Sequence, residues 1–322
     1  MSTAQADEQS SHFAGDDLIP AQDVPVNDRS DINSVYSEDK SSTTSIASSI
    51  LEYRQLHGRT YHSDTFTTNY LFPNDDQQLE SVELCHHYLT ILFDDRLSLA
   101  PLEKDKMHRV LDVGTGSGIW AIEFADQFPN ASVIGTDLSP CQPQWVPPNL
   151  CFEIDDATRE WTWNANHFDF IHMRYIVGGI QDWTALLKEA YRCCAPGGWV
   201  ESVEYDVEIR SDDRSTELEP ILASSGDLFR EAAKVLNRPF FVQEIQKEAF
   251  DEAGFVDKSA IRYKLPIGPW AKDSYTQMLW QGVLKRPTDE YHEWLATIRK
   301  AIRNPMVHGY MTVQIVYGRK RE

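Results

Sequence analysis

A chain of 322 residues with 50 acidic and 30 basic side chains has a formal charge of −20, and 41% of it is hydrophobic. That balance removes the clustered Lys and Arg that direct, sequence-independent binding to a phosphate backbone requires. No run of about 18 apolar residues occurs, and no charged start leads into an apolar stretch, so neither a membrane span nor secretion is expected.

In chain order, the first 50 residues hold nine Asp or Glu, two Lys or Arg and fourteen Ser or Thr, with Phe13 and Tyr36 as the aromatics. Such a stretch buries too little to offset its ordering entropy, so residues 1–45 are predicted to be a disordered acidic tail carrying −7 of the charge. Ile46, Ile50, Tyr53 and the stretch Arg54 to His57 suggest an amphipathic helix from near Ser45, opening an N-terminal helical lid over residues 46–105. Tyr61 and His62 follow in a loop, where they either touch a bound cofactor or pin the lid to the sheet. A second helix is predicted from Leu79 to Phe93.

The densest signal is V-L-D-V-G-T-G-S-G-I-W-A-I, Val110 to Ile122: an apolar strand, Asp112, then Gly114, Gly116 and Gly118 around Thr115, then a helix start. A strand-to-helix turn lets backbone approach a ligand where no Cβ intervenes. A dinucleotide fingerprint would place its third glycine at position 119, where Ile119 stands, so a pyrophosphate cradle is the poorer reading. D-x-G-x-G-x-G instead resembles motif I of class I S-adenosylmethionine methyltransferases. Asp137 then closes the apolar run Ser132 to Thr136, where a ribose-binding carboxylate belongs; capping the turn at Leu138 is the alternative. A third strand, Leu150 to Ile154, ends in Asp155, Asp156 and Ala157, the place where this kind of fold meets an adenine.

Strands at Phe168 to Arg174 and Trp199 to Glu204 flank a helix over Asp182 to Cys194. His172, near a strand end, is the candidate general base, with a packed hydrogen-bonded ring as its alternative; Arg174, Tyr175, Glu204 and Tyr205 are candidates to orient a substrate. Residues 211–303 read as a helical cover, with helices at Glu217 to Leu236 and Gln243 to Ala253. Trp270, Trp280 and Trp294 either line an acceptor pocket or sit in the core. A last strand, Met311 to Tyr317, completes a methyltransferase domain over residues 106–322. The fold expected is α/β, a doubly wound, Rossmann-like seven-strand sheet with mainly helical covers.

Five cysteines, Cys85, Cys141, Cys151, Cys193 and Cys194, form no C-x-x-C pair, which fits a reducing compartment, cytoplasmic or nuclear, and predicts no metal site. The strings Tyr61 to Ser63, Leu71 to Asp76, Gly135 to Asn149, Ala195 to Glu201, Lys264 to Trp270 and Val316 to Lys320 together resemble the LaeA-like methyltransferases of filamentous fungi. That resemblance implies S-adenosylmethionine as cofactor and, first, a regulator of secondary metabolism and development with velvet-type partners. A tailoring methyltransferase for a small metabolite is the second reading, and a catalytically weak scaffold subunit the third. Residues 274–287 are shorter than the corresponding helical run of the family, and the methyl acceptor stays open between protein and metabolite.

Overall fold

The computed structural model describes residues 50–63, 70–267 and 287–322. The acidic tail, the start of the helix expected near Ser45, Trp270, Trp280 and the short 274–286 stretch lie outside the described residues.

The chain first forms a hairpin, β1 (Tyr53–Leu56) and β2 (Arg59–Ser63). This corrects the helix predicted through Tyr53 and His57. The two-residue connection His57-Gly58 has φ of +50° and +76°, the left-handed turn that matches strand twist, and Gly58 takes it without strain. Helix α1 (Asp76–Leu92) follows, capped by Asp75, whose carboxylate accepts from the Gln78 N–H at 3.1 Å. The predicted helical lid is therefore a hairpin and one helix.

The main sheet contains β3 (Arg109–Val113), β4 (Ser132–Asp137), β5 (Leu150–Ile154), β6 (Phe168–Arg174), β7 (Cys194–Tyr205), β8 (Val256–Pro266) and β9 (Tyr310–Arg319), in the spatial order β5-β4-β3-β6-β7-β9-β8. The first five in that order are parallel, whereas β9 runs antiparallel to both β7 and β8. Helices α2 (Ile119–Gln127), α3 (Trp183–Cys193), α4 (Ile221–Leu236), α5 (Gln243–Ala253) and α6 (Thr288–Ile302) complete the architecture. Strand order reverses at β3, so a crevice opens at its carboxyl end.

Alternate residues of the central strands feed opposite faces. Val110 and Phe170 pack with Trp120, Phe124 and Phe128 of the α2 side, while Leu111 and Ile171 join the larger core containing Trp183, Leu187 and Phe250. The expected seven-strand sheet is present. β8 is the strand that the helical-cover reading of residues 211–303 missed: Ile261, Tyr263 and Leu265 pack inward while Lys258, Arg262 and Lys264 face out, a charge-protected sheet edge. Helix α5 ends as expected at Gly254, φ +93°.

Candidate functional site

The carboxyl ends of β5, β4, β3, β6 and β7 meet in one cavity of about 610 Å³, covered by α1 and the segment before it. Its lining takes in Asp112, Gly114, Thr115, Gly116, Asp137, Leu138, Asp155, Asp156, Ala157, His62 and His172 from the sequence-predicted set. Gly118 and Tyr61 lie elsewhere. A Cβ at Gly118 would collide with the Phe152 ring, and Tyr61, 2% exposed, is part of the main core. Of the two readings for Tyr61, pinning the cover is the one its surroundings fit.

The three glycines serve different ends. At Gly114 a Cβ would meet Ile176 Cγ2 at 2.6 Å, so that glycine permits packing. Gly116 has φ +60°, and its nearest neighbour on the Cβ side is Val82 Cγ1 at 3.5 Å, so the loop turns bare backbone toward the cavity there. Thr115 N–H donates to Thr136 O at 2.8 Å, and its hydroxyl to Asp112 Oδ2 at 2.6 Å, which ties the loop to two strand ends.

Asp137 is half-buried at the end of β4. Its Oδ2 accepts from the Gly116 N–H at 2.9 Å and its Oδ1 from the Ser139 N–H at 3.1 Å. An ionised carboxylate has about four acceptor positions, so two remain for ligand hydroxyls. Burial pushes its carboxyl up to about 6, partly opposed by these amides and reinforced by the charge of Asp112. One strand over, Asp156 Oδ1 accepts from Thr158 N–H and Oγ at 3.0 and 2.6 Å, while Asp155 accepts from the Asp156 N–H at 2.9 Å. Burial and the charge of Asp156 raise the Asp155 carboxyl.

His172 is 1% exposed and lies flat on Trp120, ring centroids 3.7 Å apart at 6°. Its Nδ1 is 2.7 Å from Asp112 Oδ1. Burial lowers its pKa more than the bond to Asp112 raises it, and the neutral ring then donates from Nδ1 to the carboxylate. With Thr115 on its other oxygen, Asp112 has both oxygens bonded, and the histidine braces the glycine loop from beneath.

His62 spends both ring nitrogens. Nδ1 donates to Ser63 O at 2.8 Å, and Nε2 accepts from the Tyr70 N–H at 3.0 Å and Arg54 Nη2 at 3.1 Å. That bonding orients Tyr70, whose phenol burial pushes upward with help from the charges of Asp137 and Glu204. Asn74 Nδ2 donates to Ser139 Oγ at 3.2 Å, joining the cover to the turn beyond Asp137. Tyr70 and Asn74 went unassigned in the sequence because their place over the site depends on how the cover packs, not on local pattern.

Of the candidates to orient a substrate, Arg174, Tyr175 and Tyr205 line the cavity, whereas Glu204 does not. Glu204 is fully buried and accepts from the Ile176 and Val177 N–H groups at 3.1 and 3.2 Å, holding the turn after β6; burial pushes it up to about 8. Trp294, 8% exposed, packs in the core and donates from Nε1 to Ser224 Oγ at 2.7 Å, which excludes it from the cavity wall. Among the described residues no His, Cys, Asp and Glu group suited to a metal ion is found, and no helix is long and apolar enough to cross a membrane.

Residues 85–259 match the family model described as a methyltransferase domain. Methyltransferase pytC of Aspergillus terreus is 37% identical over 234 residues, 72% of this chain and 71% of that protein. Secondary metabolism regulator laeA of Aspergillus fumigatus is 31% identical over 290 residues, 83% of this chain and 76% of that one. Among solved structures, the YcgJ protein of Bacillus subtilis aligns with TM-score 0.50 and 20% identity, covering 74% of this chain and all of that one, a likeness of fold.

Proposed function

This chain belongs to the LaeA-like S-adenosylmethionine-dependent methyltransferases, and from that premise we propose that it methylates a small acceptor of fungal secondary metabolism inside the cavity described above. The observation that carries this reading is the extent of the cavity's lining. Besides the cofactor subsites at β3, β4 and β5 it takes in Arg174, Tyr88, Tyr175, Tyr205, Leu265 and Met311, a tyrosine-rich arm that those subsites do not use.

The residues present fit the cofactor. Bare backbone at Gly116 suits close approach of its amino-acid half, the spare acceptor positions of Asp137 suit two ribose hydroxyls, and Asp155 or Asp156 suits an exocyclic amine. When bound, the cofactor supplies an electrophilic methyl on a sulfonium. The protein's task is then to hold an acceptor in line and exclude water. His172 is assigned a positioning role, because its exposed surface is 1% and its Nδ1 is committed to Asp112. An acceptor that arrives ionised needs no base.

A regulatory role is the second reading, favoured by the relatives named secondary metabolism regulators. In that reading velvet-type proteins are the partners, the nucleus is a place of action beside the cytoplasm, and the serines and threonines among residues 1–45 are candidate phosphorylation sites. Gene deletion followed by metabolite profiling separates the two. The tailoring reading expects one product family to be replaced by a congener lighter by one CH₂; broad loss of unrelated metabolites, with falling transcripts of their pathways, overturns it in favour of regulation.

A further inference from the structure

The cavity is electrically lopsided. Asp112, Asp137, Asp155 and Asp156 stand at its cofactor end, and Arg174 is the one Lys or Arg among its described lining residues. This guanidinium is held in place. Its Nη2 donates to His86 Nδ1 at 3.1 Å, and His86 Nε2 lies 2.9 Å from the Glu123 carboxylate. Since Arg174 can only donate, His86 must present a lone pair at Nδ1 and carry its proton at Nε2, facing Glu123. Burial and the nearby Arg174 charge keep that imidazole neutral.

Asp112 and Glu201 act on Arg174 through space, but no carboxylate among the described residues lies within ion-pair distance of it, so a half-buried cation faces the cavity with donors left over. A buried arginine whose donors lack a contacting anion is costly, and such a group is ordinarily matched by a ligand. Its surroundings identify the end of the cavity it serves. Tyr175 beside it shares a 2.9 Å hydroxyl contact with Tyr88 and meets the Tyr205 ring edge-on at 4.8 Å, and Leu265, Ile267 and Met311 continue the wall.

We propose that this arm is the acceptor subsite for a small organic acid with an aromatic or unsaturated body, its carboxylate or ionised hydroxyl seated on Arg174 and its body among the tyrosines. The assignment rests on the methyltransferase reading and specifies its substrate class. Holding the acidic group of the acceptor on the guanidinium fixes the approach of the nucleophile and keeps that group ionised.

The test uses the full chain saturated with S-adenosylhomocysteine and two probes of one shape, cinnamate and its neutral amide, titrated by calorimetry. The wild type is expected to favour the acid by about tenfold or more, the scale of one hydrogen bond to a charged group. Arg174→Met should abolish that preference and Arg174→Lys restore part of it, with S-adenosylhomocysteine affinity within about twofold in both. Equal binding of acid and amide by the wild type overturns the proposal. So does an Arg174→Met variant that loses S-adenosylhomocysteine yet keeps 5′-methylthioadenosine, because the guanidinium would then serve the carboxylate of the cofactor. Loss of both nucleosides would mark a structural role and overturn it equally. A wild type that binds neither nucleoside refutes the underlying methyltransferase reading instead.

Discussion

Replacing Asp137 by alanine removes the two carboxylate oxygens that face both the loop and the ligand space. In the free protein each oxygen already accepts one backbone N–H, from Gly116 and Ser139, leaving acceptor capacity for two hydroxyls. Hydrogen bonds to a charged group contribute about 1.5–3 kcal/mol, so Asp137→Ala should weaken S-adenosylhomocysteine by about tenfold to a hundredfold. Asp137→Asn, which keeps one acceptor oxygen, should lie between. Adenine, lacking the ribose, provides the control: its affinity should not change. Because burial holds this carboxyl up at about 6, the wild type should lose affinity as pH falls through that value, and Asp137→Asn should lose that dependence. Isothermal calorimetry from pH 5 to 8, with thermal melts to confirm folding, measures all three. A folded Asp137→Ala variant that binds S-adenosylhomocysteine within about twofold of wild type would refute the placement of the ribose at β4.

Other expectations follow from the same geometry. Gly116→Val puts a β-branched side chain at φ +60° on the cavity side of the loop, so cofactor binding should fall below detection while circular dichroism stays native; unchanged affinity would move the cofactor off the loop. His172→Gln should retain turnover within about tenfold and the same pH profile, whereas a drop of about a hundredfold or more with loss of one pH limb would make the histidine a base. Glu204, held up at about 8 by burial, keeps its proton in the folded state over a range where the unfolded chain has lost it, so its contribution to stability falls as pH rises from its ordinary carboxylate range toward 8. Glu204→Gln, which loses one acceptor oxygen at every pH but cannot ionise, should therefore gain in melting temperature relative to wild type between pH 5 and pH 8; a difference that stays constant would show the carboxylate is not protonated.

The strand ends that build the cofactor half were legible because each couples a local pattern to a local function: an apolar run, a turn, and a carboxylate where the run stops. Asp137 and Asp156 both lie on the cavity for that reason. Residues 53–57 of the hairpin read as helix, and Tyr61 and His62 as loop, because Ile46, Ile50 and Tyr53 mimic helical spacing, while the decisive signal is the two-residue His57-Gly58 turn. β8 was hidden by its edge position, where alternating charges gave a weak apolar signal although the period of two was present in Ile261-Arg262-Tyr263-Lys264-Leu265. The acceptor arm was only partly visible. Arg174, Tyr175 and Tyr205 sit at strand ends and stood out, but the brace of Arg174 comes from His86 and Glu123 on two different helices, which no spacing along the chain reveals. The role of Trp294 was likewise decided by packing, through the Ser224 contact on α4.

The most direct measurement of the central claim is methyl transfer itself. Purified protein incubated with methyl-labelled S-adenosylmethionine and an extract of the producing fungus should pass label into a small-molecule fraction that extracts into organic solvent after acidification, and Gly116→Val should abolish it. Label retained in the protein precipitate, with none in the small-molecule fraction, would contradict a small acceptor in the cavity.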